Sequence, residues 1–289
     1  PSGGAILLDA TKMYVFSGIV NISANYLNLN GAGLRGTDPE KDGVLSTVSG
    51  GILRSTGVSV FIENLAVIPA SGSTKAYDFA DATGTKFCNL FSGCSVVEIG
   101  TPSLGVGQIS GFKAATINKN YWKCSDGVKV TGNMGKFASA LNFITGISAG
   151  SGIEFLAGLT IDDIDLSNNY FVYTGQTGVK VNAGSTITHG RMTTNMFRGV
   201  STLLSGFDSY SFGWQMQQNT GIPNTRAFDF EFMDGNTTPT IFGAQGVFTK
   251  ILGATTQVSA KKFTALNNRF TYTGKSPIDA RVFVVVGAK

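Results

Sequence analysis

Helical periodicity is nearly absent from this chain. Short runs of β-branched and aromatic residues, three to seven long, are separated by Gly, Ser, Thr, Asn and Asp, a pattern that predicts many short strands. Within it an asparagine returns about every 25 residues in one local setting. Asn120, Asn169, Asn195 and Asn219 each follow a large apolar residue by three places: Ile117, Leu166, Met192 and Met216. Trp122, Phe171 and Phe197 stand two places after the first three of them. Asn142 falls midway in the gap between Asn120 and Asn169, and Asn64 and Asn89 extend the series backwards, all three with weaker flanks. A period of 20–50 residues marks a stacked repeat architecture.

A second repeat runs in step with the first. The apolar–charged–apolar triplets Tyr77-Asp78-Phe79, Val97-Glu98-Ile99, Val128-Lys129-Val130, Ile153-Glu154-Phe155 and Val179-Lys180-Val181 each follow an asparagine by about 8 to 13 residues. Period-2 alternation puts the apolar pair inside and the charge outside. Two strands in fixed phase per repeat describe one coil of a parallel β-helix. In such a coil the asparagine amide, at a tight bend, can bond to the backbone and to the asparagine one coil away. Stacked triplets would place Glu98, Lys129, Glu154 and Lys180 in one outward column of alternating sign. The longest interval, Asn89 to Asn120, is expected to hold an inserted loop at Thr101–Gly107.

The pattern changes at Gly221–Thr225, where the helix is expected to end. Domain 1–222 is then the β-helix with its N-terminal cap, and 223–289 an antiparallel β-segment. Longer alternating strands are expected there at Ala227–Met233, Gln245–Leu252, Arg269–Thr273 and Arg281–Val286. The chain stops at Lys289 with too few strands to close a sandwich, so this segment is expected to be truncated. Phe228, Phe230 and Phe232 alternate on one strand, an apolar face that predicts an interface. The fold class is therefore all-β: a parallel β-helix followed by an incomplete antiparallel β-sandwich.

Composition narrows the function. Only 14% of residues are charged, and the net charge of +4 comes from dispersed Lys and Arg. No basic stripe argues for nucleic acid, and no run of 18 apolar residues predicts membrane insertion. Cys88, Cys94 and Cys124 lack metal-ligand spacing and read as small buried thiols. His189 is the only histidine, in a turn-like stretch. Gly31-Ala-Gly33-Leu-Arg-Gly36 matches a dinucleotide fingerprint, but the turn Thr37–Gly43 follows where a helix is required, so it reads as a glycine-rich corner. No cofactor and no metal site is predicted.

Two candidate contacts remain. Asp162, Asp163 and Asp165 form the densest acidic cluster, and Asp163 and Asp165 at i, i+2 share the outer face of one strand. Nothing adjacent supplies the apolar pocket that would raise one pKa for acid–base work, so a solvated face competes with a carbohydrate or ion contact. Tyr121 and Tyr170 point outward beside the asparagine positions, where sugar stacking is one use; Trp122 and Phe171, in the alternate phase, are core stackers.

The rung Ile164-Asp-Leu-Ser-Asn-Asn169-Tyr-Phe171 resembles those of right-handed β-helix proteins of bacteriophage virions. So does the opening Gly4-Ala-Ile-Leu-Leu8 with Tyr14-Val-Phe-Ser-Gly18. Phe263–Gly274 resembles a strand pair of the β-sandwich head of such fibres. The resemblance implies a homotrimeric tail or head fibre, or tailspike, at the virion surface. Its implied partners are other virion proteins and a host-surface polysaccharide or receptor. Related spikes cleave polysaccharide, but no catalytic residue carries over to this sequence, so the expectation is a fibre and not an enzyme. The alternatives are a polysaccharide-degrading tailspike and a secreted β-helix enzyme such as a pectate lyase. A cleft of converging carboxylates would favour those two.

Overall fold

A computed structural model describes residues 4–70, 73–91, 93–97, 105–172, 177–182, 184–205, 214–217, 220–229, 264–266 and 269–270. The described residues form strands and turns without a helix, and the strands build a parallel β-solenoid. Each repeat contributes three strands rather than the expected two. Met134–Ala140, Phe143–Thr145 and Ser151–Phe155 make one coil. Each pairs in parallel with its counterpart in the next, Thr160–Ser167, Tyr170–Val172 and Thr177–Val181. The middle strand escapes a sequence reading because its three residues hold one inward side chain, too short a run for a period.

The result is three stacks, here called first, middle and third in chain order within a coil. The first is a ten-stranded sheet. The other two merge because Met196–Ser205 and Thr220–Asp229 each run through both. Inward columns are apolar and fully buried: Leu34, Ile62, Leu90 and Ile117 follow one another in the first stack, with Leu166 and Met192 further on. In the middle stack Val67, Val96, Trp122, Ile144, Phe171 and Phe197 line up. Phe171 and Phe197 stack at 4.8 Å between centroids with their planes 4° apart. Trp122 and Phe171 are thus core residues, as the alternation predicts.

The corner between the first and middle stacks explains the recurring asparagine. The chain bends through a left-handed residue: Asn64, Gly93, Lys119, Leu141, Asn168 and Thr194 all have positive φ. The next residue turns inward, and the register stacks Gly18, Asp42, Leu65, Cys94, Asn120, Asn142, Asn169 and Asn195 at that place. The four asparagines are at most 2% exposed. Asn120 N donates to Asn142 Oδ1 at 2.9 Å, Asn142 N to Asn169 Oδ1 at 3.2 Å, and Asn169 N to Asn195 Oδ1 at 2.9 Å. Each Nδ2 also donates to a main-chain carbonyl of the preceding coil: Leu90, Ile117, Ser139 and Leu166. A buried corner that water does not reach is thereby satisfied, except at Asn120 Oδ1, where the asparagine series begins.

Membership of this ladder differs from the expected series. Asn64 sits one place early, at the left-handed residue, and Leu65 takes the corner; Asn89 lies in a strand of the first stack, and Cys94 takes its coil's corner. Asn142 belongs despite its weak flanks, because Ser139 replaces the apolar residue three before it. The Ser139 hydroxyl accepts from Asn142 Nδ2 at 2.9 Å and donates to Asn169 Oδ1 at 3.2 Å. Asp42 does the same work in an early coil: its Oδ1 accepts from Gly18 N at 2.6 Å. Its Oδ2 takes the N–H groups of Thr37 and Asp38 and the Thr37 hydroxyl. These bonds, the one from Gly18 first, hold its pKa well below the usual carboxylate range. Asn219 lies outside the described residues.

Asp81 is a second carboxylate used as a turn acceptor. Burial alone would raise its pKa, but the Thr83 hydroxyl and the N–H groups of Lys86, Thr83 and Thr85 outweigh it and lower it to about 2. A carboxyl depressed in the folded state stabilises the fold above its ordinary pKa of 3.8. That contribution is lost as the pH falls from 3.8 through about 2. Asp81→Asn is therefore expected to lower stability at neutral pH and to flatten its decline between those values. Chemical unfolding across that pH range reads both; an unchanged acid limb would remove Asp81 from the account.

Two boundaries move. Gly105–Ser110 is a strand of the third stack, paired between Lys75–Ala80 and Asp126–Val130, so the expected loop ends by residue 105; its residues 101–104 lie outside the described residues. Thr220–Asp229 crosses the expected end of the helix and pairs in parallel with Met196–Ser205. Thr264–Leu266 pairs in parallel with Trp214–Gln217, and Arg269–Phe270 with Thr220–Asp229. Parallel stacking thus continues past Pro223 wherever the segment is described. Most of the expected sandwich, with the strands at 245–252 and 281–286, lies outside the described residues.

Candidate functional site

The acidic cluster sits on the outer face of the first stack. Alternation along Thr160–Ser167 buries Ile164 and Leu166 and turns Asp163 and Asp165 outward. Register then sets Asp163 between Lys136 and His189, and Asp165 between Ala138 and Arg191. Lys136 Nζ lies 2.9 Å from Asp163 Oδ2, and the Arg191 guanidinium bonds to Asp165 Oδ2. The Asp165 bond raises the pKa of Arg191. Asp165 Oδ1 is buried without a hydrogen-bond partner.

Chemically this is a poor acid–base pair. Two outward positions on one strand are about 6.6 Å apart along the backbone, a separation that would suit an inverting mechanism. Such a mechanism needs one carboxyl held protonated in an apolar pocket. Here each carboxylate faces a cation on an adjoining rung. Asp163 is 41% exposed and its pair is worth about 0–1 kcal/mol, acting on register more than stability. Neighbouring Asp162 is exposed. No group of three or more His, Cys, Asp or Glu side chains among the described residues could hold a metal ion.

The column of triplet charges forms on the third stack with one member changed. Asp78, Gln108, Lys129, Glu154 and Lys180 follow in register. Gln108 stands where Glu98 was expected, because Gly107-Gln108-Ile109 supplies that coil's strand; Glu98 itself is not described. Gln108 Nε2 donates to Asp78 Oδ1 at 2.7 Å, and Lys180 Nζ lies 3.2 Å from Glu154 Oε1. Lys129 turns instead to Asp126, at 2.7 Å within its own strand, and that bond raises its pKa. The alternating column is real from Lys129 to Lys180, but one of its expected pairs is lost to a nearer carboxylate.

Tyr121 and Tyr170 point outward on the middle stack, on either side of Phe143. Ring centroids are 5.5 Å apart for Tyr121–Phe143 at an interplanar angle of 15°, and 5.0 Å for Phe143–Tyr170 at 31°. The rings therefore spend their faces on one another along the rod and present edges and hydroxyls outward. A sugar that stacks on an aromatic needs a face.

The remaining sequence candidates are structural. Cys88, Cys94 and Cys124 are buried thiols outside any disulfide, and burial raises the pKa of Cys88 far above the usual thiol range. Gly33–Gly36 is a strand, and a Cβ on Gly36 would lie 2.1 Å from the Asn64 carbonyl oxygen, so this glycine serves coil-to-coil contact rather than a phosphate. The outward aromatic column was only half visible in the sequence: Phe143 joins it from the short middle strand that pattern reading missed.

Comparison of the chain with protein-family models, curated proteins and solved structures finds no match.

Proposed function

We propose that this chain is a structural or adhesive fibre of a bacteriophage virion, on its tail or head, that mediates attachment to the host surface. The observation that carries this reading is the organisation of the outer charges. Asp163 and Asp165 are matched to Lys136 and Arg191, and Glu154 to Lys180, rung against rung along the rod. A surface built this way supports a stiff scaffold rather than a reaction centre. The sequence resemblance supplies the virion and its partners: three copies joined through the Phe-rich segment after Pro223, other virion proteins, and a host polysaccharide or receptor. Labelled antibody against the chain, followed by electron microscopy, should decorate the particle at a fibre. Particles left undecorated would overturn the assignment.

A polysaccharide-degrading tailspike is the second reading, favoured only by the spacing of Asp163 and Asp165. Incubation of the chain with capsular or surface polysaccharide is expected to release no oligosaccharide. Release that vanishes in Asp163→Asn or Asp165→Asn would put the spike first.

A further inference from the structure

Asn30 is the one asparagine of the sequence that precedes a glycine. It lies between the third-stack strand Tyr26–Asn28 and the first-stack strand Gly33–Gly36. Asn30 has φ 49° and Gly31 φ 92°, and Ala32 N donates to Leu29 O at 2.7 Å across them. A tight turn with positive φ at both central residues favours Asn-Gly. Leu29 and Ala32 are fully buried, whereas Asn30 and Gly31 are exposed. Asn30 Nδ2 donates to Leu8 O of the preceding coil at 3.3 Å, and Asn30 N donates to Asn28 Oδ1 at 3.2 Å. Among the described residues no hydrogen bond engages the Gly31 N–H. Two aspartates that precede glycines differ on this point. Gly43 N donates to Gly18 O at 3.1 Å, and Gly127 N donates to Asp126 Oδ1 at 2.9 Å.

We infer that Asn30 is a site of spontaneous deamidation, in which the Gly31 main-chain nitrogen displaces the Asn30 side-chain amide. Gly31 N, having lost its proton to hydroxide, attacks Asn30 Cγ. The new N–Cγ bond closes a cyclic imide, and the Cγ–Nδ2 bond breaks. Nδ2 leaves as ammonia, taking up a proton from water. Water then opens the ring at either carbonyl, so the step needs no oxidant or reductant. Opening at Cγ leaves an aspartyl residue. Opening at the main-chain carbonyl leaves an isoaspartyl residue, whose chain runs through Cβ and Cγ. Glycine keeps the attacking nitrogen uncrowded and lets the turn rotate. The left-handed backbone of Asn30 directs Gly31 N away from the side chain, so the turn must open before the ring can close. Opening is opposed by the Ala32–Leu29 bond and by the two longer bonds of Asn30. The product replaces Nδ2 by a carboxylate, so Leu8 O loses its donor and faces a negative charge instead. Leu8 is then held to the next coil by its own N–H, 3.0 Å from Asn28 O, and the first coil loosens. None of this depends on the virion assignment.

The test ages the full 289-residue chain in native buffer at alkaline pH, with a parallel sample in urea. Trypsin releases Met13–Arg35 as one peptide, which also holds Asn21, Asn25 and Asn28. These precede Ile22, Tyr26 and Leu29, whose side chains crowd the attacking nitrogen, so they serve as internal references. In native buffer, mass spectrometry should find ammonia lost from Asn30 at least about tenfold faster than from the references. Enzymatic methylation of isoaspartate should label the same position. Gly31→Ala should slow the loss by about tenfold. Its Cβ meets only the Ala10 and Val58 Cβ atoms, at 3.8 Å, although φ strains it. If that variant fails to fold, the comparison within the parent peptide still decides. The aged chain and Asn30→Asp should both be cut after Lys12 sooner than the fresh chain under native conditions. Loss confined to urea, or spread evenly over the four asparagines, overturns the inference. So does an aged chain that is deamidated at Asn30 yet cut after Lys12 no sooner than the fresh one.

Discussion

Asn169→Ala is expected to cost about 3 kcal/mol, and Asn120→Ala about 1 kcal/mol, although both remove a buried corner asparagine. The difference lies in what each leaves behind. Asn169 Oδ1 accepts from Asn142 N, Asn142 Nδ2 and the Ser139 hydroxyl, and its Nδ2 serves the Ser139 carbonyl and Asn195 Oδ1. Truncation strands the Asn142 N–H in a corner that water does not reach. It also strips the Ser139 carbonyl and hydroxyl of a partner each. A buried group left unmade costs about 1–3 kcal/mol. Asn120 is the end of the ladder. Its Oδ1 is already buried without a partner, and its Nδ2 makes a long bond of 3.3 Å to Leu90 O. Equilibrium unfolding in urea, followed by circular dichroism, measures both. Equal losses would mean that the asparagines act singly and not as a ladder.

A larger effect is expected from Gly127→Ala, which adds one methyl group. A Cβ there would sit 1.9 Å from the Gly152 carbonyl oxygen and 2.4 Å from that of Ser151, on the neighbouring strand of the third stack. Those atoms are main chain and cannot swing aside. Relief requires the two coils to separate, which breaks the hydrogen bonds that hold Asp126–Val130 to Ser151–Phe155. The cost should exceed the ~1–3 kcal/mol of an ordinary overpacked core and is expected to remove soluble, folded protein. Gly158→Ala is the control. Its φ of +74° strains any side chain, but nothing lies within 4 Å of its Cβ, so about 1–2 kcal/mol is expected. A soluble Gly127→Ala chain no less stable than Gly158→Ala would show that the rungs yield more readily than this packing allows.

The inward columns were legible in the sequence because each reports one local requirement. Ile117, Leu166 and Met192 fill the first stack, and Trp122, Phe171 and Phe197 the middle one, at the offsets their asparagine sets. Period-2 alternation also separates Val128 and Val130 from Lys129 without any knowledge of the neighbours. The candidate site was legible only as a pair of outward carboxylates. That Asp163 meets Lys136 and Asp165 meets Arg191 depends on residues 27 and 26 positions away, a matter of register between coils.

Coil length is what the chain hides. Intervals between successive corners vary, from 22 residues between Asn120 and Asn142 to 29 between Leu65 and Cys94. Loops absorb the difference, so equal spacing does not identify equivalent residues. For that reason Asn64 and Asn89 resemble ladder members and are not, Glu98 yields its place to Gln108, and Asn142 joins through the Ser139 hydroxyl.

By itself, then, the sequence determined that this protein is an all-β parallel stack with a buried asparagine corner, because side-chain alternation and bend chemistry act within a few residues. The tertiary structure decided that a coil has three sides and which charge neutralises which. It also placed Tyr121, Phe143, Tyr170 and Met196 in one outward column. Those facts are set by how one coil lies on the next, and main-chain hydrogen bonds between coils fix that register across loops of unequal length.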